Sequence, residues 1–222
     1  MKFINIMNSK RIIYLLTLSA MLSGCIAPLV PVVVGGGMAE TVVVATDRRT
    51  TVKQLQDKEI ELRATSRIKD ALDSRSHVNV TSFNLQVLLT GQVPNDKDRQ
   101  TIYKIVSEVE NVTKVFNEVE IGPVSGYVER THDALLSGKV RAGIIDASDL
   151  MVNTFTIVVE NGTVFLMGRV TANEANRATD IARNVNGVLK VVRIFDPLSE
   201  EGLRALNPPA NTVSQPDKPL AK

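Results

Sequence analysis

Few side chains in this sequence could do chemistry. In 222 residues there are two histidines, His77 and His132, one cysteine, Cys25, and no tryptophan. His132 and Asp133, with Ser137 about a turn later, superficially spell a base, an orienting acid and a nucleophile. Neighbouring positions at a helix start do not face one another, so His132 and Asp133 lack the mutual geometry of such a triad. Asp133 reads better as an N-cap or first-turn acid of that helix. No His, Cys, Asp or Glu cluster has metal-ligand spacing, and Gly35-Gly36-Gly37 is not followed by the Gly-Lys-Ser/Thr of a phosphate loop. The expectation is a protein without catalytic residues, metal or cofactor.

Cys25 is the exception. Lys2, Lys10 and Arg11 precede an apolar run from Ile12 to Leu22, which is too short to span a bilayer and reads as a secretory signal peptide over residues 1–24. The run ends in Leu22-Ser23-Gly24-Cys25, which resembles the bacterial lipobox. That resemblance implies cleavage before Cys25 and a thiol carrying diacylglycerol, an acylated anchor of the palmitate type. A single cysteine allows no internal disulfide. Removing residues 1–24 takes away three basic residues and no acidic one, leaving 23 basic against 24 acidic, so the basic balance of the whole chain belongs to the leader. Net charge gives no support to nucleic-acid binding.

The elements that follow come in two copies. Val87–Val93 reads VLLTGQV and Val164–Val170 reads VFLMGRV, 77 residues apart. Around the first, Glu59–Leu72 has helical spacing, Val78–Ser82 and Val87–Val93 alternate as strands, Ile102, Ile105, Val106 and Val109 form a helical stripe, and Val112 to Val119 suits a third strand. Around the second, the order repeats with Asp133–Ala147, Phe155–Val159, Val164–Val170, the stripe Ala178, Ile181, Ala182 and Val185, and Val188–Phe195. Asn161-Gly162 predicts a two-residue hairpin turn with positive φ at both positions. Gly91 and Gly168 are expected to let the next helix fold back over the sheet. Those helices are expected to open at Pro94-Asn95-Asp96 and at Thr171 to Glu174.

This pattern resembles the BON domain, a bacterial module of helix, two strands, helix and strand. The matching residues are VLLTGQV with Glu110 to Val115, and VFLMGRV with Asn186 to Val191. The fold class expected is α+β, two tandem α-β-β-α-β domains, each a three-stranded sheet packed by two helices. The expected boundaries are a lipidated N-terminus and tether over 25–58, a first domain over 59–122, a second over 128–196, and a short helix with a disordered Pro-rich tail over 197–222. With the lipobox, the resemblance implies a non-enzymatic outer-membrane lipoprotein, facing the periplasm, associated with phospholipid and needed for membrane integrity. Ile26 behind Cys25 agrees, since aspartate there would favour inner-membrane retention in enterobacterial lipoproteins.

The two leading helices differ. Aligning Arg67-Ile68-Lys69 with Lys139-Val140-Arg141 puts Arg63, Ser66, Asp70 and Asp73 on the outward face of the first, a solvated surface, and Leu135, Gly138, Ala142 and Ile145 on that of the second. Leu135, Gly138, Lys139, Arg141, Ala142 and Ile145 are therefore the expected contact with anionic phospholipid. Two other readings stay open. The face could pack on the first domain or the tether, or it could dock an envelope protein, making the chain an adaptor.

Overall fold

Thr50 opens the first helix, its Oγ1 accepting from the Lys53 N–H, and α1 runs Thr51–Ala71. In this computed structural model residues 47–72 and 76–206 are described. The signal peptide, Cys25, the valine-rich tether, Asp73 and the tail from residue 207 lie outside the described residues. Strands β1 (His77–Phe83) and β2 (Gln86–Val93), helix α2 (Asp96–Ser107) and strands β3 (Lys114–Asn117) and β4 (Glu120–Ile121) complete the first domain. Helix α3 (Tyr127–Ile145), β5 (Phe155–Glu160), β6 (Thr163–Val170), α4 (Ala172–Asn184) and β7 (Lys190–Pro197) form the second, followed by α5 (Glu200–Leu206).

Both leading helices begin earlier than Glu59 and Asp133, where the apolar spacing starts. Their N-terminal turns send a carboxylate inward where a hydrophobic side chain was sought. Asp57 and Asp133 are both buried, followed by Ile60, Ala64 and Ile68 in α1 and by Leu136, Val140 and Ile144 in α3. Asp133 is thus not an N-cap, because it sits almost two turns inside α3. The helices that return over the sheets start as expected, with Asn95 capping α2 and Thr171 closing a capping box with Glu174 on α4.

In each domain the central strand pairs antiparallel with its hairpin partner and parallel with the last strand. The first sheet's third strand is broken after Asn117, and β4 resumes the parallel pairing on β2 two residues later. Both hairpin turns have positive φ at two positions, Asn84 and Leu85 in one, Asn161 and Gly162 in the other. The strand glycines make room for backbone, not for a returning helix. A Cβ on Gly91 would lie 2.1 Å from the His77 carbonyl oxygen, and one on Gly168 would lie 2.5 Å from that of Thr154.

Three apolar layers hold the molecule. One lies between α1, α2 and the first sheet, and one between α3, α4 and the second. The third joins the sheets face to face, through Phe83, Leu88 and Phe116 on one side and Val158, Phe165, Met167, Val192 and Ile194 on the other. The helices therefore form opposite outer layers. Asn84 Nδ2 donates to Asp196 (2.8 Å) and Asn161 Nδ2 to Glu120 (2.7 Å). Asn84 matches Asn161 in the repeat and Glu120 matches Asp196, so the copies meet as a pseudo-twofold pair.

Candidate functional site

The buried aspartates set the register between the copies. Asp57 accepts from Ser82 Oγ (2.7 Å) and from the N–H groups of Asn84 and Leu85 (2.8 Å each), bracing the first hairpin turn. Asp133 accepts from Asn161 N–H (2.8 Å) and Gly162 N–H (3.0 Å), bracing the second. With its oxygens committed to this turn, and His132 exposed on the helix surface, Asp133 orients no triad. Among the described residues no group of His, Cys, Asp and Glu could hold a metal ion.

Matching Asp57 to Asp133 corrects the helix alignment by one turn. Leu135, Gly138, Ala142 and Ile145 correspond to Glu59, Leu62, Ser66 and Lys69, and Lys139 and Arg141 to Arg63 and Thr65. An alignment by charge alone slipped because a shift of four residues turns a helix by only about 40° and leaves the faces nearly in place.

Leu135 is 64% exposed and Ile145 58%, and Gly138, Lys139, Arg141 and Ala142 are exposed beside them. The face does not pack on the first domain. It extends beyond the expected residues, because Val128, Leu135 and Ala142 fall seven apart, as do Thr131, Gly138 and Ile145, and Val128 is also exposed. Neither Lys139 nor Arg141 has an ion-pair partner among the described residues. On α1 Lys58 pairs with Glu61, and Arg63 with Glu59 and Glu110. The outward face of α1 is less polar than expected, since Val52, Leu55 and Leu62 are exposed on it. Charged or hydroxyl side chains at Glu59, Ser66 and Lys69 interrupt that stripe.

The sequence reading missed Leu189, 81% exposed on the loop between α4 and β7, close to Gly162. The sequence spacing places Leu189 inside a strand Val188–Phe195, whereas β7 starts at Lys190 and leaves Leu189 on the loop ahead of it.

The segment entering α1 is fastened to both domains. Arg48 forms a two-pronged pair with Glu174 (2.6 and 2.7 Å) and donates to the Arg169 carbonyl oxygen (3.0 Å). Arg49 pairs with Asp47 and with Asp57, and its guanidinium lies 4.3 Å from the Phe83 ring centre. Burial works to raise the acids Asp47 and Glu174, but the hydrogen bonds and charge of Arg49 and Arg48 outweigh it and hold both below their ordinary range. Between the sheets, Glu160 accepts from Gln92 (2.7 Å) and Asn79 (3.2 Å), and Gln92 accepts from Ser125 ahead of α3. The pairing is symmetric in kind: each leading segment hooks onto the other copy.

The BON domain family model matches residues 56–123 and 132–194. The chain is 36% identical over 188 residues to the outer membrane lipoprotein DolP of Haemophilus influenzae, covering 84% of this chain and 95% of that protein. It is 30% identical over 152 residues to a 21 kDa hemolysin of Actinobacillus pleuropneumoniae, covering 68% and 78%. Among solved structures, CdsD, a structural protein of the type III secretion system of Chlamydia trachomatis, aligns with 74% of this chain and 99% of its own at 13% identity, with a TM-score of 0.27.

Proposed function

The chain belongs to the BON-domain family as a DolP-like dual-BON lipoprotein of the bacterial envelope, and from that premise we propose that its second domain binds anionic phospholipid through α3. The observation that carries the reading is an uncharged, exposed stripe flanked by two cations, Lys139 and Arg141, that have no ion-pair partner among the described residues. An apolar surface of this kind, rimmed by positive charge, suits the interface of an anionic leaflet.

Magnitudes divide the labour. Burying Leu135 and Ile145 contributes about 1.5–3 kcal/mol each, and the two cations about 1 kcal/mol each at an anionic surface. Acyl chains on Cys25 contribute about 0.8 kcal/mol per buried CH₂. Diacylglyceryl-Cys25 would hold the protein to the periplasmic side of the outer membrane, residues 25–46 would link it to the fold, and α3 would orient the domains and select lipid. The work is non-enzymatic and supports outer-membrane integrity. No helix among the described residues is long and apolar enough to cross a membrane.

The test is cosedimentation of residues 47–206 with phosphatidylglycerol and with phosphatidylcholine vesicles. Binding to the anionic vesicles alone, weakened at least tenfold by Leu135→Asp in a variant that still folds, is the expected result. Unchanged binding removes the reading. A second reading, an adaptor that docks an envelope protein, draws on Val52, Leu55 and Leu62, exposed on the opposite layer from α3.

A further inference from the structure

The two hairpin turns differ at one position. In the first domain Leu85 holds the second turn residue at φ 66°, and its side chain is part of the core between the helices and the sheet. In the second the matching residue is Gly162, at φ 70°, where a Cβ would lie 3.0 Å from the Leu189 side chain, so Leu189 covers this turn. The next loop differs in the complementary sense. Thr113 N–H donates to the Leu85 carbonyl oxygen (2.9 Å), and Leu189 N–H makes the same bond to Gly162 (2.9 Å), so Leu189 stands where the first domain has a threonine. A trough of about 540 Å³ results, lined by Val128, His132, Gly162, Gly187 and Leu189 at the N-terminal end of α3.

We infer that this trough takes an acyl chain of a membrane phospholipid, with Leu189 inserted beside it as a second point of contact. The inference rests on the reading of α3 as a lipid-facing surface and extends it to another element of the fold. The trough is walled by the apolar side chains of Val128 and Leu189 and by the bare backbone of Gly162 and Gly187, with the acids Glu129 and Asp133 on its border. Val128 belongs to both the trough and the α3 stripe, which makes the two surfaces continuous. Lys139 lies seven residues beyond His132 on the same side of the helix and has no ion-pair partner among the described residues, which places a free cation for a phosphate on the trough side. Asp133, which also borders the trough, is committed to the turn N–H groups.

The absence of tryptophan makes the test direct. Leu189→Trp, Leu135→Trp and Leu55→Trp are made singly in the full-length chain and reconstituted into vesicles of phosphatidylglycerol and phosphatidylethanolamine brominated on their acyl chains. Insertion of 5–10 Å below the headgroups quenches emission, so roughly twofold loss is expected at positions 189 and 135 and none at 55, on the opposite layer. Adding Val128→Asp, which puts a charge on the helix wall of the trough, is expected to relieve the quenching at 189. Quenching at 135 without quenching at 189 overturns the trough and leaves the α3 reading in place. No quenching at either position overturns both. Equal quenching at all three overturns the trough as well, because it reports adsorption without orientation.

Discussion

The two domains share a frame and differ in what they show to solvent. Asp57 and Asp133 brace equivalent turns, Gly91 and Gly168 admit a neighbouring carbonyl, and the three core positions of the leading helix are Ile60, Ala64 and Ile68 in one, Leu136, Val140 and Ile144 in the other. On the outward face α1 reads Val52, Leu55, Glu59, Leu62, Ser66, Lys69, whereas α3 reads Val128, Thr131, Leu135, Gly138, Ala142, Ile145. In α1, Lys58 and Arg63 pair with carboxylates and Lys69, among the described residues, does not; in α3, neither Lys139 nor Arg141 has an ion-pair partner among the described residues. Residues that hold a turn or clear a backbone contact are costly to change, so the copies keep them. An outward face carries no such penalty, and its chemistry has separated.

The widest test of the shared frame removes its aspartates. Asp57→Ala leaves two turn N–H groups and Ser82 Oγ without their acceptor and Arg49 with Asp47 alone, and is expected to cost about 3–5 kcal/mol in urea unfolding. Asp133→Ala strands two N–H groups and is expected to cost about 2 kcal/mol. Equal losses would mean that the additional partners of Asp57 contribute nothing. The glycines come next: Gly91→Ala, at φ 109° and against His77, is expected to lose about 2–3 kcal/mol, and Gly168→Ala, without positive φ, less. A reversed order would show that backbone strain is not what separates them.

The outward faces are separated by a matched pair. Leu135→Asp is expected to weaken anionic vesicle binding ten- to a hundredfold, equivalent to about 1.5–3 kcal/mol, with the melting temperature unchanged. Leu62→Asp, at 72% exposure on α1, is expected to leave binding as it was. Equal effects would erase the distinction between the domains. The smallest effect expected is at the seam, where Arg48→Ala should cost about 1 kcal/mol at neutral pH. Glu174 and Asp47 are held below their ordinary range, so the stability they add is present above about pH 4.5 and is lost as pH falls through their folded values. Arg48→Ala should therefore flatten the part of the fall in stability below about pH 4.5 that belongs to Glu174.

Most of the fold was legible because hydrophobic spacing and turn chemistry are local. Asn161-Gly162, Asn95 and Thr171 each do what their residue types imply. The early turns of α1 and α3 were hidden because a buried carboxylate looks polar in sequence, and its partners lie 25 to 29 residues away. Leu85 gave no turn signal, since a leucine at positive φ is unusual and is offset here by burial. The stripe from Leu135 to Ile145 could be read from spacing, and its exposure could not, because that depends on which faces the sheets choose when they meet. Leu189 became visible only once the two turns were superimposed.

Arg48 and Arg49 stand at the point where the chain from Cys25 enters the fold, one hooked to Glu174 of the second domain and the other to Asp57 of the first. Tension on that chain loads both domains in parallel, and neither can be peeled away while its partner stays put. The load enters at the seam, between the opposed outer layers, so pulling along it leaves α3 free to tilt toward or away from a surface. The two arginines thus couple the copies at the entry to α1, and force on that segment is shared between them.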